Sequence, residues 1–192
     1  MLAVAWLKSF VPHRDMDRRI DAAKAYLAAS RERMHVGVQA PLFDPADMAA
    51  WYILQAETFA TDRAYWSPEG VMRAVPFLTR IGKELPLLLS VKGVEERAAR
   101  MMLVDRSQPD SCIYELLVAL AYRRGGWDRV EFVPETPGVR RTPDLHVFRP
   151  RSRWAVECKR LAPSRYATRE QVRGMELAER VHALSLECMN LL

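Results

Sequence analysis

Apolar residues recur at helical spacing through the first half of the chain and alternate in short runs through the second. Between Asp15 and Met34, the residues Met16, Ile20, Ala23, Leu27 and Met34 fall on or near one face, which predicts a helix. Asp44-Pro45-Ala46-Asp47 places a capping Asp before Pro at the first helical position and opens a helix through about Thr61. Ser67-Pro68 repeats the signal for a helix that Pro76 should kink or end. Val94 to Val104 predicts a further short helix, and no alternating strand pattern of useful length appears in this half.

The second half changes character. Ser107-Gln108-Pro109-Asp110 reads as a capping signature with Ser107 as cap, opening a helix to about Arg124 that Gly125-Gly126 ends. RVEFVPE (129–135) is alternating and β-branched, so it reads as a strand; the turn-rich TPGVRRT (136–142) follows. DLHVF (144–148) is a second strand, PRSR (150–153) a turn and WAVECK (154–159) a third strand. Thr168 and Gln171 form a capping box for a helix running to the C-terminus. Short turns between strands imply an antiparallel meander, so the expected class is α+β. The expected division is a helical region at 1–104 and an α+β core at 105–192.

Composition removes several classes. With 192 residues, 49% hydrophobic and 28% charged, the chain can bury a real core and is neither disordered nor fibrous. Its longest uncharged stretches fall short of the roughly 18 apolar residues of a membrane span. The start, MLAVAWLKSF, lacks the basic n-region of a signal peptide. Three cysteines (Cys112, Cys158, Cys188) without metal-ligand spacing argue against a disulfide scaffold or a zinc knuckle. A soluble, cytoplasmic protein with no membrane partner is expected.

The net charge of +5 is unevenly placed. Within 140–173, ten basic residues (Arg140, Arg141, Arg149, Arg151, Arg153, Lys159, Arg160, Arg165, Arg169, Arg173) face three acids (Asp144, Glu157, Glu170). Such an excess suits a phosphate-backbone partner, and equally an arginine-rich solvated face. Arg160, Arg165, Arg169 and Arg173 run from the third strand into the last helix, where they could hold backbone phosphates.

Four residues carry candidate chemistry. Glu115 lies in SCIYELLVALAY (111–122), a helix apolar nearly all round, so it is a carboxylate that should be buried. Burial of an unpaired carboxylate costs several kcal/mol unless it is neutralised or given a cation, so Glu115 reads as part of a cation site, as a salt bridge to an arginine or as a protonated core carboxyl. Asp144 follows Pro143 at the start of the middle strand and projects opposite Leu145 and Val147, as a metal ligand or a turn-capping Asp. Glu157 and Lys159 share one face of the third strand, while Trp154, Val156 and Cys158 point to the other. Strand pairing can set Asp144 beside Glu157, with Cβ atoms about 5 Å apart when directly opposed. Two adjacent carboxylates suit a divalent cation such as Mg²⁺, which takes one or two of them and keeps waters for substrate phosphate to displace. An ammonium beside them can orient water and neutralise charge developing on phosphorus. His146, on the face of Asp144, reads as a core-edge histidine, and Cys158 as a small core hydrophobe.

TPDL (142–145), followed twelve residues after Asp144 by VECK (156–159), resembles the PD-(D/E)xK nuclease superfamily, the restriction-endonuclease-like fold. The resemblance covers roughly 107–192, with Glu115 matching the family's helical acidic residue. It implies Mg²⁺ (or Mn²⁺) held by Asp144 and Glu157 with Glu115 in support, Lys159 assisting the attacking water, and DNA, ahead of RNA, as substrate. After Lys92 the chain uses Arg throughout and Lys once, at Lys159, where Arg's wide fork would not replace a compact ammonium. Two departures stand out: the family's fourth strand is not supplied by the sequence through Leu192, so it is either supplied elsewhere or the core is C-terminally truncated, and Gln171 is followed four residues on by Met175, where the recombination-helicase branch has Tyr. The resulting expectation is a Mg²⁺-dependent DNA endonuclease, its N-terminal helices serving a homodimer, a partner protein or DNA. The alternative is an inactive nuclease-fold module for nucleic-acid binding or assembly.

Overall fold

A computed structural model of the chain describes residues 2–37, 41–134 and 142–159, together with 173, 176, 177, 180 and 181. The described helices are α1 (Leu2–Lys8), α2 (His13–His35), α3 (Met48–Thr61), α4 (Pro68–Lys83), α5 (Leu85–Leu89), α6 (Val94–Leu103) and α7 (Pro109–Arg124). The strands are β1 (Arg129–Phe132), β2 (Leu145–Arg149) and β3 (Ser152–Val156), an antiparallel sheet in the order β1-β2-β3. The class is therefore α+β, and no helix among the described residues is long and apolar enough to cross a membrane.

Side-chain capping accounts for the starts of α3 and α4. Asp44 and Asp47 divide the capping expected of Asp44 alone. Asp44 accepts from Ala46 N–H to open a 3-10 turn over Pro45–Asp47, and Asp47 accepts from Ala50 N–H to open α3. Ser67 accepts from Gly70 N–H ahead of α4. Pro76 does not end α4, which runs on to Lys83. A proline inside a helix costs about 3 kcal/mol, and α4 offsets this by burying Ala74, Leu78 and Ile81. The carbonyl that Pro76 leaves unpaired belongs to Met72, an exposed residue where water can reach it. At α7 the N-cap is Gln108, not Ser107, and no side chain caps it.

The core gathers around α3, whose Trp51, Tyr52, Ile53 and Leu54 are all buried; α2 and α4 pack on it. Polar ties cross this core. Buried Arg19 of α2 forks onto both carboxylate oxygens of Asp47 (2.6 and 2.7 Å) and donates to the Met102 carbonyl. Tyr52 donates to Asp110 of α7, which also accepts from Arg73 of α4 at 3.0 Å. Burial, then the Asp110 hydrogen bond and charge, push the Tyr52 phenol well above its ordinary range.

One sheet face, with Val130, Phe132, Leu145 and Val147, is buried and packs on the helices. The free side of β1 is covered by one residue. Lys92, between α5 and α6, donates its N–H to the Val130 carbonyl (3.1 Å) and accepts from Phe132 N–H (2.9 Å). Gly93 makes this approach feasible, with φ of +79° and an added Cβ falling 3.2 Å from Phe132 Cβ.

Met1–Cys158 and Lys159–Leu192 form two compact units. The expected boundary at 104/105 thus falls inside the first unit, because ties such as Lys92 to β1 and Ala49 N–H to the Arg106 carbonyl (2.9 Å) cross it. Of the second unit, residues 173, 176, 177, 180 and 181 are helical and exposed, in line with the expected C-terminal helix. The turn residues 136–141, the Thr168–Gln171 capping box and any fourth strand lie outside the described residues.

Candidate active site at the open end of the sheet

β2 and β3 run in register with Leu145 opposite Val156 and Val147 opposite Trp154. One step beyond, the expected pairing of Asp144 with Glu157 falls past the end of the ladder. The ladder changes there. Asp144 accepts from Val133 N–H on one side (3.0 Å) and donates its own N–H to the Val156 carbonyl on the other (3.0 Å). The strands part after this bond, and β3 ends at Val156, so Glu157 and Lys159 follow the strand and do not lie within it. The Cys158 N–H, no longer in the ladder, is taken by Asp144 Oδ2 at 2.5 Å. Asp144 therefore has the capping role that its place before a strand suggested, and its carboxylate is fixed by it.

Glu115 is buried on α7, and its partner is Arg97 of α6, whose Nε and Nη2 both reach Glu115 Oε2. This is the arginine salt bridge that the apolar helix called for. Arg97 is the site residue that the sequence reading did not single out. The only available signal was the demand of Glu115 for a cation, and several arginines could have met it.

The Cys158 thiol is pushed up from 9.0 to about 12, first by burial and then by the charges of Asp144, Glu115 and Glu157, against the opposing field of Arg97. Cys158 is half-buried against the core, as its alternation predicted.

Among the described residues, no group of three or more His, Cys, Asp or Glu side chains is arranged to hold a metal ion. A three-carboxylate cage is not assembled, with Glu115 neutralised by Arg97. Asp144 is half-buried and Glu157 exposed.

The other expected residues are dispersed. Lys159 is exposed and opens the second unit, where Arg173 is helical and exposed. Arg160, Arg165 and Arg169 lie outside the described residues. His146 is half-buried at the sheet edge-to-face with Phe148, with Arg153 Nη2 3.2 Å from its Nδ1. A groove of about 790 Å³ lies instead among the N-terminal helices, lined by Val4, Val11, Met16 and Glu57, and includes none of these residues.

Compared with protein-family models, curated proteins and solved structures, the chain matches none.

Proposed function

We propose that the chain is a metal-dependent phosphodiester hydrolase acting on DNA, with a restriction-endonuclease-like core. One observation carries the reading: the Asp144 carboxylate, at the end of the β2–β3 ladder, is held by the N–H of Cys158, the residue that follows Glu157 in the chain. Asp144 and Glu157 are the residues that would hold Mg²⁺, which supplies a water acidified enough to attack phosphorus and neutralises phosphate charge. The Cys158 N–H fixes Asp144 so that its carboxylate need not reorganise. Arg97 compensates Glu115, so that the buried negative charge is tolerated. Lys159, two positions after Glu157 in the chain, would orient the attacking water and offset charge developing on the phosphate.

The test is cleavage of plasmid and linear DNA with Mg²⁺ or Mn²⁺, comparing wild type with Lys159→Ala and Asp144→Ala. Both variants should lose at least 100-fold in rate, on the order of a lost charge-stabilising group, while circular dichroism stays unchanged. Wild-type activity that survives Lys159→Ala would refute the assignment.

A second reading, a non-catalytic module of the same fold that binds nucleic acid, is favoured by the Arg97–Glu115 ion pair and the lack of a three-ligand group among the described residues. It expects DNA affinity indifferent to EDTA, with no cleavage of any substrate.

A further inference from the structure

The β2–β3 hairpin turns through two residues, Pro150 and Arg151, between the paired Arg149 and Ser152. Arg149, Arg151 and Arg153 are exposed there, and none forms an ion pair among the described residues. Several other arginines of the first unit meet acids, Arg19 with Asp47, Arg73 with Asp110, Arg80 with Glu84 and Arg129 with Glu131, while Arg31 and Arg123 go to backbone carbonyls. Two of the three are also held in place. Arg149 lies 4.6 Å over the Trp127 ring and donates to the Gly125 carbonyl at 2.8 Å. Arg153 lies 5.3 Å from the centroid of Phe148, whose ring also carries Arg129 at 4.0 Å.

A guanidinium resting on a ring has already lost much of its rotamer freedom, and the N–H groups that Arg149 does not give to Gly125, and Arg153 does not give to His146, remain for a partner. Such a fork matches a phosphate. We infer that the tip of the β2–β3 hairpin, through Arg149, Arg151 and Arg153, binds the phosphate backbone of duplex DNA. The choice of DNA rests on the function proposed above; the surface itself needs neither metal nor cleavage.

The experiment is fluorescence anisotropy of a 20-base-pair duplex of arbitrary sequence with the full chain in EDTA, from 50 to 300 mM NaCl. Each phosphate contact contributes about 0.9 to the slope of log K against log salt. Arg151→Gln with Arg153→Gln should therefore lower the slope by about 1.8, which at 100 mM salt is roughly a 60-fold loss of affinity. Arg151→Gln alone, at a tip position with no recorded side-chain partner, should lower it by about 0.9 with the fold untouched. The charge-matched control, Arg14→Gln with Arg18→Gln on the exposed side of α2, should leave the slope unchanged. An equal loss in the control, no duplex binding by the wild type, or tighter binding of a single strand of the same length would each overturn the inference. Cleavage that fails while the hairpin slope changes as expected strikes only the catalytic reading. An unchanged slope in an active enzyme strikes only this one.

Discussion

Replacing Glu115 by Ala tests whether the centre of the site is an ion pair whose halves depend on each other. The Glu115 and Arg97 side chains are 7% and 18% exposed, so neither charge can recover its hydration when the other is removed. Breaking a buried pair on one side costs about 3–5 kcal/mol. For a domain of this size, each kcal/mol moves the melting temperature by about 2–4 °C, so Glu115→Ala should melt roughly 6–20 °C below wild type. The informative companion removes both charges at similar volume, Glu115→Leu with Arg97→Met. Replacement of a whole buried pair by apolar side chains is often neutral or stabilising, so the double variant should lie within about 1 kcal/mol of wild type or above it. Urea and thermal unfolding of wild type, Glu115→Leu, Arg97→Met and the double variant close a double-mutant cycle. A Glu115→Ala cost below about 1 kcal/mol would refute the coupling argued here. The double variant has a further use: with stability restored, any loss of DNA cleavage belongs to the missing carboxylate and not to unfolding.

Other outcomes follow from single contacts. Gly93→Ala should lower the urea midpoint by the equivalent of about 1–2 kcal/mol, because φ is +79° and the new methyl would stand 3.2 Å from Phe132 Cβ. Asp144→Asn keeps an acceptor for Cys158 N–H but removes a charge that holds the Cys158 thiol up, so iodoacetamide should alkylate Cys158 faster at pH 9.5 than in wild type. An unchanged alkylation rate would separate the two residues. Burial holds the Cys112 thiol at about 12 in the folded chain, against 9.0 as its ordinary value. The folded state therefore keeps a proton that the unfolded state sheds. This contribution is intact below pH 9 and is lost as pH rises from 9 toward 12. Unfolding midpoints should fall less steeply over that range in Cys112→Ala than in wild type.

Where the chain carries its own punctuation, the fold was legible. Asp44-Pro45, Ser67-Pro68 and Gln108-Pro109 mark helix starts to within a few residues, and period-two runs locate all three strands. α1 and α5 were not legible, since seven and five residues are too few to establish a period, and both are held by burial of Ala3, Val4 and Leu7 or of Leu85 and Leu88. β3 seemed to run on to Lys159 because alternation continues through VECK, yet the Asp144 carboxylate competes for the Cys158 N–H and ends the ladder at Val156. Of the site, alternation and register could bring Asp144 to the end of the β2–β3 ladder, since both are local properties of the strands. The Arg97 pairing could not be read, because it joins two helices across a loop and depends on packing that no local pattern encodes.

The single-residue strap at Lys92 has a bearing on how the protein could be dissected. Two backbone hydrogen bonds from this residue occupy the outer side of β1, and they come from the helical half of the chain. A fragment beginning at residue 105 would keep all three strands yet discard that cover. β1 would then present bare amides and carbonyls to any passing strand, an invitation to edge-to-edge association. Turbidity of such a fragment would therefore report a lost guard, even if each strand still formed.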